Sequence, residues 1–209
     1  MKGLPLLILV LVAGALFFMA RAPMAGMPLG DDLMSKKPDG YPVATLAGGC
    51  FWCLESEFRA LDGVLYTESG YTGGELENPS YQDITTGKTG HAEAVRVTYD
   101  PKQTSYETLV EFFLTKGHDP TQLNRQGVDV GPQYRSAIYP HDEEQRQIAK
   151  ALIKRVDESK IHKDPIVTKI EEFEKFWIAE EYHQQYYEKY EEETGRPHIR
   201  VLLKKAKRK

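Results

Sequence analysis

The most constraining feature of this 209-residue chain is a short apolar run that ends in two glycines and leads directly into two closely spaced cysteines. Residues 43–46 predict a buried strand, Gly48-Gly49 break it, and residues 51–60 carry apolar side chains at helical spacing. Cys50 is therefore predicted to lie where a strand turns into a helix. Cys53 follows about one helical turn later.

Strand-like and helix-like segments alternate irregularly along the rest of the chain, and no internal repeat is visible. Residues 92–99 alternate like a strand and are stopped by Asp100-Pro101. Thr104 and Glu107 form a capping-box pattern, which predicts a helix that ends at Gly117. We therefore predict an α+β fold, a single compact domain with helices packed around a mixed β-sheet. Further strands are predicted at 64–71, 136–139 and 166–178, and further helices after the cap Asp142 and at 179–190, the last with Tyr182, Tyr186 and Tyr190 on one packed face.

Composition divides the chain into four parts. Residues 1–22 combine Lys2 with an apolar run and a small-residue cleavage pattern, which predicts a signal peptide or a membrane anchor. Residues 23–40 predict a linker, residues 41–195 the folded domain, and residues 196–209 a basic tail. We expect an exported protein, periplasmic or otherwise extracytoplasmic, that contacts a membrane only if the first segment stays uncleaved. The net charge of −4 gives little support for binding nucleic acid.

Cys50 and Cys53 are the only cysteines in the chain. A disulfide between residues three apart does little for stability, so the pair indicates redox chemistry or metal binding. At a helix N-terminus, unpaired N–H groups and the helix dipole stabilise a thiolate, so we expect Cys50 to be a nucleophile with a lowered pKa. Cys53 shares a helix face with Cys50 and can approach disulfide distance. Two buried structural thiols are the alternative, and the six histidines contain no pair at zinc-ligand spacing.

Glu93 is the second residue that carries chemical information. Strand alternation puts it on the face of Val95, Val97 and Tyr99, where a carboxyl group would lose solvent and hold its proton more tightly. A protonated Glu93 there could act as an acid. The alternative is that Glu93 begins the strand and points to solvent.

The segment Gly49-Cys50-Phe51-Trp52 resembles the signature of A-type peptide methionine sulfoxide reductases, which reduce methionine-S-sulfoxide to methionine. Five further segments resemble blocks of the same family in the same order. They span most of residues 43–190. These segments are residues 70–74 with 78–81, 89–95, 118–121, 133–139 and 179–186.

The resemblance implies a role for four residues and matches a fifth. Cys50 would be the nucleophile and Glu93 the acid, while the hydroxyl groups of Tyr81 and Tyr134 would hold the sulfoxide oxygen. Asp129 also matches a family position. These roles suit the chemistry, because attack at the sulfoxide sulfur needs a proton delivered to the oxygen.

The resemblance also implies a substrate pocket and a recycling route. Phe51 and Trp52 would enclose the methyl group, with core packing as the alternative. Many relatives have glycine at the position of Cys53 and place recycling cysteines near the C-terminus, where this chain has none. We therefore expect a Cys50–Cys53 disulfide that a thioredoxin-type donor reduces. We expect a monomer without cofactor or metal that acts on oxidised proteins or free methionine sulfoxide; a general Cys-x-x-Cys thiol-disulfide oxidoreductase is the alternative.

Overall fold

A six-stranded sheet forms the centre of residues 37–199, the part of the chain that the computed structural model describes. The predicted signal peptide or anchor, most of the linker and the last ten residues of the basic tail lie outside this part. The strands are β1 (Val43–Gly48), β2 (Val64–Thr72), β3 (Ala92–Tyr99), β4 (Arg125–Gln126), β5 (Asp129–Val130), β6 (Ser136–Tyr139), β7 (Lys169–Ile170) and β8 (Trp177–Ile178). The helices are α1 (Phe51–Arg59), α2 (Tyr81–Thr85), α3 (Tyr106–Phe112), α4 (Glu143–Glu158) and α5 (Tyr186–Thr194).

The sheet has the order β7-β6-β1-β3-β2-β8. Its strands pair antiparallel except for β6 and β7, which run parallel, so the sheet is mixed. Strands β4 and β5 form a separate small hairpin. This architecture confirms the predicted α+β fold. No helix within residues 37–199 is both long enough and apolar enough to cross a membrane.

The main hydrophobic core contains side chains of the central strands and of four helices. Leu46 of β1 and Val95 and Val97 of β3 pack in one buried cluster with apolar residues of α1, α2, α3 and α4. A second, smaller cluster contains Ala94 of β3 and Phe176 from the segment before β8. Alternate residues of β3 therefore point into different clusters, as the period of two along the strand predicts.

The N-terminal caps of α3 and α4 show where local patterns predict a helix start and where they do not. Asp142 caps α4, as predicted, and its side chain accepts the N–H of Gln145 at 2.7 Å. The predicted cap Thr104 is wrong by one residue. Ser105 has the extended cap conformation and accepts the N–H of Thr108 at 3.1 Å. Helix α3 then continues as a π-helical turn over Phe113–Gly117, so the predicted end at Gly117 is confirmed.

Residues 166–190 depart most from the sequence prediction. The strand predicted over 166–178 is reduced to the two short pairings in β7 and β8. The helix predicted over 179–190 begins only at Tyr186, and Tyr182 lies in a 3₁₀ turn with 59% of its surface exposed. Gln184 and Gln185 separate the two, because Gln184 bonds the backbone of β2 and Gln185 has a left-handed φ of 47°.

Glu55 connects α1 to β2 and to the start of α5. Its buried carboxyl group accepts the hydroxyl groups of Thr67 and Ser69 at 3.0 and 3.1 Å and the N–H of Gln185 at 2.9 Å. Burial raises the pKa of Glu55 from 4.5 to about 7, although these donors favour the ionised form. Helix α1 is therefore anchored by a carboxyl group that gains a proton close to neutral pH.

Glu55→Gln should become more stable relative to the wild type as the pH rises from 4.5 to about 7. Folding raises the pKa of this carboxyl group, so its ionisation at higher pH lowers the free energy of unfolding. This loss is absent below the pKa of the unfolded state and grows until the pH exceeds the pKa of the folded state. The amide never ionises, so the variant avoids a loss of up to about 3 kcal/mol. Denaturant unfolding at several pH values across this window measures the difference. The control is Glu192→Gln, which removes an exposed carboxyl group; equal pH slopes for both variants would contradict the prediction.

Candidate active site

Cys50 occupies the turn between β1 and α1. Gly49 makes this turn with a φ of +85°, and a Cβ atom at this position would lie 2.5 Å from the Cβ of Gln126. Cys50 is the N-cap residue of α1, and its carbonyl oxygen accepts the N–H groups of Cys53 and Leu54 at 3.1 and 3.2 Å. The predicted position at a helix N-terminus is confirmed, with the residue only 9% exposed.

Glu93 of β3 points into the protein beside this turn and is 2% exposed. The solvent-facing alternative is therefore wrong. Its Oε2 atom accepts the N–H of Phe51 at 3.0 Å. Burial favours the neutral carboxyl group, whereas an N–H donor favours the carboxylate. Oε2 can accept this bond in either protonation state, because a neutral carboxyl group keeps its carbonyl oxygen as an acceptor.

The pKa of the Cys50 thiol is raised well above its usual value, so the predicted lowering is wrong. The largest cause is the hydrogen bond with the Cys53 side chain; burial and the negative charges of Cys53 and Glu93 add to it. The hydrogen bond and burial act on the sulfur itself, whereas a helix end carries only about half a charge, so they outweigh the helix dipole. A negative charge on Glu93 therefore helps to keep the proton on Cys50.

Tyr81, Tyr134 and Asp129 come from three different segments of the chain but lie near Cys50 and Glu93. Tyr81 begins α2, Tyr134 ends the 3₁₀ turn before β6, and Asp129 begins β5. Burial raises the pKa of both tyrosines, and the negative charges of Glu93, Cys50 and Asp129 raise them further. The structure therefore brings these five predicted residues together. Both phenols keep their protons at neutral pH and can donate hydrogen bonds.

Phe51 and Trp52 have different environments. Phe51 is 1% exposed and lies in the main core, so core packing accounts for its position. Trp52 is half-buried and stacks on Tyr186, with ring centres 3.8 Å apart and 13° between the planes. Of the two residues, Trp52 offers the accessible apolar surface.

His183 and Glu180 fix the aromatic residues of the site. The Trp52 indole N–H donates to His183 Nδ1 at 3.0 Å, and burial lowers the pKa of His183, so the ring stays neutral and Nδ1 remains an acceptor. Glu180 accepts the N–H of Tyr81 and the hydroxyl of Tyr71, both at 2.8 Å. Sequence reasoning assigned no role to His183 or Glu180. Their one signal was membership of the segment 179–186.

Cys53 lies between Cys50 and α5. Its side chain shares a hydrogen bond with Cys50, and its Sγ atom lies 3.0 Å from the hydroxyl oxygen of Tyr187. Cys53 is half-buried, whereas Cys50 is buried. The two thiols and a phenol thus form one chain of contacts. The sequence alone gives no role to Tyr187, because no local pattern connects it to Cys53, which lies 134 positions away.

Two thiols, a buried carboxyl group and two protonated phenols therefore meet at the N-terminus of α1. Residues 37–199 contain no group of three or more His, Cys, Asp or Glu side chains that could hold a metal ion. The fold and the site together define an α+β thiol enzyme whose nucleophile lies beside proton donors. A sequence model of the family described as peptide methionine sulfoxide reductase matches residues 42–209. The chain belongs to this family.

Curated relatives and solved structures agree with this assignment. The chain is 52% identical to peptide methionine sulfoxide reductase MsrA 1 of Rhodopirellula baltica, over 77% of this chain and 83% of the relative. It is 55% identical to the MsrA of Natronomonas pharaonis, over 70% and 82%. The reduced form of Mxr1 from Saccharomyces cerevisiae superposes with a TM-score of 0.68 at 31% identity, covering 78% of this chain and 91% of that one.

The chain is therefore a peptide-methionine (S)-S-oxide reductase. It reduces methionine sulfoxide by thiol chemistry and serves in the repair of oxidised proteins. Reduction of the sulfoxide restores the apolar, flexible side chain that oxidation had made polar.

Glu93→Gln should slow sulfoxide reduction by about two to four orders of magnitude and at the same time lower the pKa of Cys50. The amide cannot deliver a proton, so the rate falls; it also carries no negative charge, so one cause of the raised thiol pKa disappears. Single-turnover methionine release measures the first effect, and the pH dependence of Cys50 alkylation in a Cys53→Ser background measures the second.

The matched control is Glu68→Gln, which removes a buried carboxyl group of β2 that pairs with Arg96. It should change the rate by no more than a few-fold. A Glu93→Gln enzyme with a near-wild-type first turnover would remove Glu93 from the mechanism and leave the tyrosines as the proton donors.

Proposed function

We propose that Cys50 is the nucleophile of this reductase and that Cys53 forms the disulfide with it. Glu93, Tyr81 and Tyr134 donate to the sulfoxide oxygen as it departs. The supporting observation is the meeting of the Cys50 thiol and the buried Glu93 carboxyl group at the first turn of α1. A thioredoxin-type protein then reduces the disulfide and returns the enzyme to its starting state.

In the first half-reaction the Cys50 sulfur attacks the sulfoxide sulfur. Neutral Glu93 and the phenol O–H groups of Tyr81 and Tyr134 donate to the sulfoxide oxygen, where negative charge develops. In net terms one oxygen atom passes from the substrate to the Cys50 sulfur. The substrate sulfur gains two electrons and leaves as methionine, while Cys50 loses two and becomes a sulfenic acid.

The substrate methyl group lies against Trp52 in this proposal. Its indole is stacked on Tyr186 and hydrogen-bonded to His183, so the accessible ring surface is held in one orientation. Contact between a sulfur-bound methyl group and a fixed ring favours one epimer of a chiral sulfoxide. Phe51 supports the pocket from the core, and Asp129 adds negative charge near the phenols.

In the second half-reaction the Cys53 sulfur attacks the sulfenic sulfur of Cys50. An S–S bond forms, the S–O bond breaks, and the hydroxyl group leaves with the Cys53 proton as water. The hydrogen bond between the two thiols already brings the sulfurs together. Cys53 N–H also bonds the Cys50 carbonyl oxygen at 3.1 Å, so the disulfide forms within a single helical turn.

Cys53→Ser should release one methionine per enzyme in a single turnover and then stop. Of the two thiols, the first half-reaction uses only Cys50, whereas the second half-reaction also requires Cys53. In the variant, Cys50 therefore remains a sulfenic acid that a selective probe can trap. Turnover with a thioredoxin-type donor should be lost. Mass spectrometry and methionine release measure the two steps.

Cys50→Ser is the matched comparison, and it should abolish even the first turnover. If the wild-type enzyme after one turnover contained a persistent sulfenic acid and no Cys50–Cys53 bridge, an external thiol would perform the second step. The resolving role of Cys53 would then be wrong.

We also propose that the enzyme works outside the cytoplasm. The support is the apolar run at residues 4–19 after Lys2, which lies outside the described residues. An enzyme in such a compartment repairs proteins that are exposed to oxidants there.

Cell fractionation of the source organism tests the location. Recovery of the native protein outside the cytoplasm, with a shortened N-terminus, is the expected result for a cleaved signal; recovery in membranes at full length indicates an anchor. Full-length native protein in the soluble cytosol would contradict export.

A further inference from the structure

Tyr187 occupies a position that the reductase step does not explain. It lies in the first turn of α5, it is 5% exposed, and its hydroxyl oxygen is 3.0 Å from Cys53 Sγ. The first half-reaction uses Cys50 and its proton donors, and the Cys53 sulfur reacts only in the second. A polar group in contact with this sulfur can therefore act on recycling without acting on sulfoxide reduction.

We propose that Tyr187 is a catalytic residue of the recycling half-reaction, in which its hydroxyl group orients the Cys53 sulfur and donates a hydrogen bond to the thiolate that attacks Cys50. This proposal rests on the resolving role proposed above for Cys53.

The position of the Tyr187 ring is fixed from several sides. Its ring stacks on His198, with centres 4.8 Å apart and 20° between the planes. The preceding residue, Tyr186, stacks on Trp52, which holds the register of α5 against α1. Gln185, at the start of α5, donates its N–H to Glu55 of α1 at 2.9 Å. The phenol therefore meets Cys53 through a restrained contact, and little rotational freedom is lost when the bond strengthens.

The chemistry of disulfide formation requires such a donor. Cys53 must lose its proton before its sulfur can attack, and a half-buried thiolate is costly without hydrogen-bond donors. In the reduced enzyme, the raised pKa of Cys50 means that the Cys50 S–H group is retained and donates to Cys53. Once Cys50 is a sulfenic acid this S–H donor is gone. The hydroxyl group of Tyr187 is a donor that still contacts the attacking sulfur.

The bond changes of this step leave Tyr187 chemically unaltered. Cys53 gives up its proton, its sulfur forms the S–S bond with Cys50, and the S–O bond of the sulfenic acid breaks. The released hydroxide takes up the proton and leaves as water. Tyr187 donates a hydrogen bond to the sulfur before the attack and is neither oxidised nor reduced.

Tyr187→Phe removes one oxygen atom and keeps the ring. We expect wild-type release of the first methionine, but disulfide formation about tenfold to a hundredfold slower, the scale of one lost hydrogen bond to a charged group. Rapid-quench experiments with methionine-S-sulfoxide measure methionine release, trapped sulfenic acid and free thiols on the same samples. The control is Tyr190→Phe, which removes a hydroxyl group one turn further along α5 and should form the disulfide at the wild-type rate.

A bypass separates a chemical role from a structural one. A small monothiol at high concentration reduces the sulfenic acid directly, so it should restore steady-state turnover of Tyr187→Phe to the level of Cys53→Ser under the same conditions. Disulfide formation at the wild-type rate in Tyr187→Phe would overturn the proposal, as would an equal loss of both half-reactions that the monothiol does not restore. Donor-dependent turnover of Cys53→Ser at the wild-type rate would instead overturn the resolving role of Cys53 itself.

Discussion

The hydrogen bond from the Phe51 N–H to Glu93 Oε2, 3.0 Å long and closed to solvent, is the contact on which the rest of the site depends. It joins the first turn of α1 to the central strand β3. The sheet prepares this contact, because β1 leads into α1 and pairs antiparallel with β3, with Leu46 opposite Val95. That register brings Glu93 level with the end of β1, two residues before Cys50. A slip by one residue would turn Glu93 to the other face of the sheet and separate the acid from the thiol.

A segment from the far end of the chain completes the site. Glu180 holds the N-terminus of α2, His183 holds the Trp52 indole, and Tyr187 reaches Cys53. Each contact crosses about one hundred residues or more of sequence. These bonds are partly shielded from water, so each contributes to the orientation of an aromatic ring, of α2 or of the second thiol. The segment is anchored to β2 by Gln184, whose side-chain amide bonds both the N–H and the carbonyl oxygen of Ser69 at 2.9 Å.

The sequence predicts those parts of this fold that depend on local periodicity. Strand β3 has its predicted bounds of 92–99, and α1 differs from its prediction by one residue. The prediction fails where tertiary contacts override local preference: the regular spacing of Tyr182 and Tyr186 is interrupted by the left-handed Gln185, and the strand expected over 166–178 finds few partners. The candidate residues are brought together as the family resemblance implies. The pKa of Cys50 was predicted in the wrong direction, because the helix terminus is visible in sequence whereas the hydrogen bond between the two side chains and the burial of the thiol are not.

The negative charges near Cys50 also affect when its thiol can ionise. A negative charge on Cys53 or Glu93 raises the pKa of Cys50, because it opposes formation of a second negative charge nearby. Cys50 therefore ionises most easily when Glu93 carries its proton, and the proposed mechanism uses this combination of an ionised nucleophile beside a protonated acid. In the proposed mechanism Cys50 is a neutral sulfenic acid after the first half-reaction, so the S–H group that donated to Cys53 is gone while the Tyr187 hydroxyl group still contacts the Cys53 sulfur. The repulsion between Cys50 and Glu93 thus sets the protonation state from which the first step starts, and the contact with Tyr187 acts on the second.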